Sequence, residues 1–240
     1  MYFTAKLAFV LSGMAVIPQG TYSPLYATKG AERVAVGGFA LDRAPVMRGE
    51  FLEFVRRHPE WRKSAVKRAA ADIGYLADWA GDLAAGNASD LRAPVTGVSR
   101  NAALAYCAAK GKRLPTSNEW EYAAAASATS RDASRDRNFI SQLVGFYRNR
   151  ASGRSQAVGK SKPNMYGVRD MHELVWELTE DPTHARHSGH EHDMSCAGAA
   201  MGALDPSNYA AFMRYAVRSG LNDRTTMKTL GFRCAGSTSL

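Results

Sequence analysis

The chain has 240 residues, 45 % of them hydrophobic and 22 % charged, with a formal net charge of +9 at pH 7. This composition excludes a fibrous, low-complexity or wholly disordered chain and predicts one large globular domain or two small ones. The positive balance bears on solubility and on non-specific partners, not on fold.

The first apolar stretch, Leu7–Val10 with Met14–Ile17, follows Lys6. At about a dozen residues it is too short to span a bilayer. Two readings stay open for it. One is the remnant of a signal h-region over residues 1–12, although no clean small-x-small cleavage site follows. The other, preferred here, is a first strand Met14–Ile17 stopped by Pro18 and Gly20. Alternation predicts further short strands at Gly20–Tyr22, Arg33–Val36 and Phe39–Asp42. Pro45 then opens a helix that puts Met47, Phe51, Phe54 and Val55 on one face. Its start, Met47-Arg48, lacks a good capping side chain.

Residues 56–93 interleave Arg56, Arg57, Arg62, Lys63, Lys67 and Arg68 with Trp61, Tyr75 and Trp79. Such interleaving suits nucleic acid, but the preferred reading is a solvated helical insertion whose aromatics pack down, with no specific nucleic-acid partner. Ser99 is an N-cap for a helix over Arg100–Lys110, and Gly111 supplies the left-handed stop. Thr116-Ser117-Asn118-Glu119 is a capping box that starts a second helix through Ala126. Residues 131–162 read as a basic surface loop.

Next comes Pro163–Glu177, too polar for a core strand and too rich in turn residues for a helix. Asp170 and Glu177 bracket it, with Val175 and Trp176 as apolar anchors. Carboxylates at both ends and carbonyls between them suit an oxygen-liking cation such as calcium. The alternative is an ordinary strand entry with a buried Trp. Beyond it lie His184, His187, His190, His192 and Cys196, and then Met201. Imidazole, thiolate and thioether suit Cu(I), so His190, His192 and Cys196 form a speculative copper set; the other reading is an exposed His-rich loop. Tyr209–Val217 reads as a short helix or strand, and Leu230–Cys234 as a closing strand. Short strands, two compact helices and long loops predict an α+β domain. The odd cysteine count predicts one pair and one free thiol.

The order of these residues resembles the formylglycine-generating-enzyme (sulfatase-modifying factor) family. The blocks are Pro163-Asn164-Met165-Tyr166-Gly167-Val168-Arg169-Asp170-Met171 with Val175-Trp176-Glu177, Pro94–Ser99, Ala105-Tyr106-Cys107, Gly111–Thr116, Glu119–Ala123 and Leu230–Ala235. Within the family, the nearest likeness is to short members described as nitrite-reductase accessory or maturation proteins. The resemblance implies the C-type-lectin-like variant of an α+β fold over residues 13–236, with 237–240 as a tail.

It further implies a Cys107–Cys234 disulfide and hence a periplasmic or otherwise exported protein; two buried reduced thiols in the cytoplasm remain the alternative. It implies a calcium set of Asp170 and Glu177 by side chain and Glu173 and Val175 by carbonyl, with Trp176 at a cleft. Where the family has Gly-Asn this chain has Glu173-Leu174, so a positive φ at Glu173 would cost about 1–2 kcal/mol. The family oxidises a substrate cysteine through two neighbouring thiols that hold Cu(I). Here Met201 stands where a second thiol would follow Cys196, so Cys196 alone is the candidate catalytic residue. The expectation is a monomeric accessory or maturation protein for a copper or redox protein partner. A non-catalytic lectin-like binding module is the first alternative, and a formylglycine-generating oxidase the second.

Overall fold

The computed structural model describes residues 13–23, 33–149, 156–181 and 206–238. The expectations for residues 1–12 and for the His184–Met201 stretch, including His190, His192 and Cys196, lie outside the described residues. Strand β1 (Met14–Ile17) pairs antiparallel with β4 (Phe39–Asp42), and β4 pairs with β7 (Ala235–Ser237), giving the order β1-β4-β7. β2 (Gly20–Tyr22) and β3 (Val34–Val36) form an antiparallel pair, and β5 (Trp176–Glu177) lies parallel to β6 (Leu230–Gly231). Alternation explains most of β1: Ala15 and Ile17 are buried on one face while Val16 on the other is 62 % exposed, and Met14, on the Val16 face, is covered as well.

Helix α1 (Arg48–Arg57) buries Phe51, Leu52, Phe54 and Val55. Its weak start is repaired by Glu50, whose Oε2 accepts the Met47 N–H at 2.8 Å. Helix α2 (Arg100–Ala109) is capped by Ser99, whose Oγ accepts the Ala102 N–H at 3.2 Å. Gly111 follows at φ 69°, where a side chain is disfavoured. The capping box forms at α3 (Ser117–Ala124): Thr116 Oγ1 accepts the Glu119 N–H, and Glu119 Oε2 accepts the Thr116 N–H.

Three expectations are corrected. The basic 131–162 stretch is not all loop. It holds α4 (Arg137–Asn149), started by Asp136, whose Oδ1 accepts the N–H groups of Asn138 and Phe139. The apolar face of α4, with Leu143 and Tyr147, is what periodicity would have found beneath the charges. Residues 56–93 are not a helical insertion. Beyond the end of α1 they are turns with two single 3₁₀ turns, Pro59–Trp61 and Asp90–Arg92, though Tyr75 and Trp79 do pack into the main core. The closing strand is split. β6 joins β5, β7 joins β4, and Phe232–Cys234 crosses between the two sheets with its side chains inward. Gly231 permits the crossing, because a Cβ there would lie 2.6 Å from the Val95 carbonyl oxygen. Helix α5 (Pro206–Ser219) settles the open reading of residues 209–217 as helix, and it packs on α4.

The main core sits between α1, α2 and the crossing segment; a second lies between α3 and the β1-β4-β7 sheet. Cys107 of α2 and Cys234 are bonded to each other inside the first, with Cα atoms 5.7 Å apart and a sequence separation of 127. In the chain-entropy account, closing a loop that long stabilises by about 5 kcal/mol at most. The Cys107→Ala/Cys234→Ala variant should therefore unfold at markedly lower urea than the oxidised protein. Coincident urea melts would remove the staple from the stability argument.

Candidate functional site

The loop Pro163–Val175 is tied down largely by its own polar groups. Asn164 Oδ1 accepts the N–H groups of Tyr166 and Val168, and its amide donates to the Ala123 carbonyl. Asp170 takes φ 57°, a left-handed geometry that Asp tolerates better than most residues. Its carboxylate accepts the N–H groups of Gly159 and Ser161. Among the described residues Leu76 and Asp170 are the non-glycine residues at positive φ, so Glu173 does not carry the strain anticipated for it.

At the end of the loop β5 turns Glu177 inward. Arg233 Nε donates to its Oε2 and Nη2 to its Oε1, each at 2.7 Å, and Trp120 Nε1 donates to Oε2 at 2.7 Å. Neither side chain of the ion pair reaches solvent. The same guanidinium donates from Nη2 to the carbonyls of Arg169 and Asp170 and from Nη1 to that of Asp42. Of the oxygens anticipated as cation ligands, the guanidinium thus engages the Glu177 carboxylate, while at Asp170 it meets the backbone carbonyl.

Both side chains anticipated as calcium ligands, Asp170 and Glu177, are engaged by protein donors in this structure. Val175 is buried against the Gly231 backbone, and Glu173 is half-exposed with other interactions. Among the described residues no three His, Cys, Asp or Glu side chains converge as a metal-binding group.

Trp176 lies half-buried beside a crevice that it lines with Trp120, Tyr147, Arg214 and Arg218. Tyr147 of α4 packs on it, with ring centroids 5.1 Å apart. A polar chain runs behind this wall. Arg214 Nη1 donates to the Tyr147 hydroxyl at 3.1 Å, and that hydroxyl meets His172 Nδ1 at 3.2 Å. His172 Nε2 lies 3.0 Å from the Ala124 carbonyl, which can only accept, so Nε2 carries the proton. Arg214 and Arg218 both pair with Glu121 of α3. Burial pushes the Glu121 carboxyl up, but the two guanidiniums override it and hold the group down at about 2. Burial likewise disfavours the Arg214 charge, and Glu121 overrides it, holding the guanidinium above its ordinary range.

Reading the sequence missed this second cluster. Its one local signal was Arg214 and Arg218 spaced a helical turn apart; that α3, α4 and α5 meet there is not visible locally.

A loop-rich α+β domain closed by a buried Glu–Arg pair, with an aromatic and cationic crevice beside it, is the class that this architecture defines. A family profile described as the sulfatase-modifying factor enzyme 1-like domain matches residues 4–238, and the chain belongs to that family. It is 29 % identical to the inactive C-alpha-formylglycine-generating enzyme 2 of Bos taurus, over 84 % of this chain and 78 % of that protein. It is 26 % identical to the formylglycine-generating enzyme of Bos taurus, over 92 % and 72 %. Among solved structures, PvdO from Pseudomonas aeruginosa aligns with a TM-score of 0.49 at 21 % identity, covering 93 % of this chain and 94 % of that one.

Three outcomes follow from the site. Replacing Arg233 with Met strands the buried Glu177 carboxylate and should cost about 3–5 kcal/mol in a denaturant melt. Because Arg233 already supplies positive charge to the loop, EGTA and added Ca²⁺ should leave the melting temperature of the wild type unchanged; a drop in EGTA would show that the loop takes up an ion. The depressed Glu121 gives a pH signature. Its folded pKa of about 2 lies below the ordinary 4.5. Its stabilisation is therefore full above the ordinary value and lost as pH falls from there towards about 2. Glu121→Gln should flatten that limb of melting temperature against pH, and an unchanged limb would contradict the assignment.

Proposed function

We propose that this chain is an accessory member of its family that acts on or with a protein partner, without dithiol oxidation of a substrate cysteine. The observation that carries this reading is the count of thiols. The chain has three cysteines, and Cys107 and Cys234 are bonded to each other. Cys196 therefore has no second thiol within the chain, and a dithiolate Cu(I) site needs two. The similarity to a relative named as inactive supports the same reading. The partner class proposed is a copper or redox enzyme, with nitrite reductase as the example that the sequence likeness offers. Cys196, with His190 and His192 nearby in sequence, would supply soft ligands for Cu(I) delivered to or taken from such a partner. The internal disulfide supports residence in an oxidising compartment.

The test is twofold. Purified protein incubated with a Cys-x-Pro-x-Arg peptide and copper should form no aldehyde; aldehyde formation would establish an oxidase instead. Cu(I) uptake by the wild type should be lost in Cys196→Ser, and unchanged stoichiometry would remove the copper part of the proposal.

A further inference from the structure

Arg214 and Arg218 share one carboxylate but are not equivalent. Arg214 uses all three of its nitrogens: Nε and Nη2 on Glu121, and Nη1 on the Tyr147 hydroxyl. Arg218, among the described residues, donates one hydrogen bond, from Nη1 to Glu121 Oε1 at 2.8 Å. Its guanidinium carbon lies 4.6 Å from the centroid of the Trp120 ring. A guanidinium carries five N–H donors in a fixed fork. Most of those on Arg218 are left for two narrow adjoining crevices, and Arg218 lines both. Its side chain is 8 % exposed, so this charge is nearly enclosed yet touches the opening.

The other charges on the crevice walls are engaged. Glu177 is paired with Arg233, and Arg100 with Asp223. Asp181, a second carboxylate on the Arg218 side, accepts the Ser117 N–H at 2.7 Å at the positive end of α3, and no ion pair joins it to Arg218 among the described residues. Trp120, Trp176, Leu178, Val217 and Leu221 make the walls apolar. In such surroundings guanidinium donors without an acceptor are costly, and an anion that accepts from them is held more strongly than in water.

We propose that Arg218 anchors a carboxylate-binding subsite at the mouth of the Trp120–Trp176 crevice. A carboxylate fits because it is planar and can accept two parallel N–H bonds from the fork. Both crevices are narrow, so the carboxylate meets the fork at the opening and the rest of the ligand stays outside. The carboxylate could be the C-terminus of a peptide, a Glu side chain of a partner, or a small free acid. The assignment stands apart from the copper reading above, since it rests on Arg218 and uses neither Cys196 nor a metal.

Four probes distinguish these sources with wild-type protein free of copper: acetate, an N-acetyl tripeptide with a free C-terminal carboxylate, the same tripeptide as its C-terminal amide, and an N-acetyl-Gly-Glu-Gly amide. Binding is read by tryptophan fluorescence and by calorimetry. Saturable binding of at least one carboxylate probe is expected, with none for the uncharged amide, and the probe that binds identifies the source. Arg218→Gln should weaken that binding about tenfold or more, the worth of a hydrogen-bonded charge. Arg218→Lys, which keeps the charge but loses the fork, should weaken it less. Absence of binding by every carboxylate probe, equal binding of the uncharged amide, or undiminished binding in a folded Arg218→Gln variant would each overturn the proposal. Should Arg218→Gln fail to fold, the acid-against-amide comparison and the lysine variant decide.

Discussion

Both oxygens of Glu177 are held by the guanidinium of Arg233 with neither side chain reaching water, and five parts of the chain meet at that pair, β4 contributing the Asp42 carbonyl. β5 delivers the carboxylate, the segment between β6 and β7 delivers the guanidinium, α3 adds the Trp120 N–H, and the long loop adds two carbonyls. Removing two charges from water costs several kcal/mol for each, so the pair is weak evidence for net stability. What it enforces is geometry, because each partner is tolerable inside only if the other is in place. The loop can therefore run without a helix or an extended strand over most of its length and still have one course.

The neighbouring residues in sequence do different work. Phe232 stacks edge-on against Phe51 and Tyr106 in the main core, while Cys234 ties the crossing segment to α2. Three consecutive side chains thus bind three different partners, and all of them are fully buried. Phe232 and Cys234 face the main core, and Arg233 between them faces Glu177 on the other side, the alternation of an extended segment covered on both faces.

The second charge cluster is built differently. Glu177 and Arg233 neutralise each other, whereas Glu121 is shared by two arginines, and one of them keeps donors facing a crevice. The first arrangement closes a structure; the second leaves an electrostatic demand at a place that a ligand can reach. Both rest on α3, whose capping box fixes its start and whose Trp120 touches both clusters.

Much of this was legible in the residues themselves. The capping box at Thr116, the Ser99 cap, the stop at Gly111 and the short strands are local signals, since each depends on backbone groups within a few residues. The family blocks gave the fold and the Cys107–Cys234 pairing. The partner of Glu177 was not legible: the carboxylate read as a cation ligand meets the guanidinium of Arg233, which lies 56 residues further along. Likewise, the charges of residues 131–162 hid the amphipathic face of α4, and nothing local announced that it would meet α5. The sequence alone thus determined the caps, the strands, the family and the number of thiols. Tertiary structure alone decided which charges meet and which guanidinium keeps unspent donors, because that depends on distances between elements far apart in the chain.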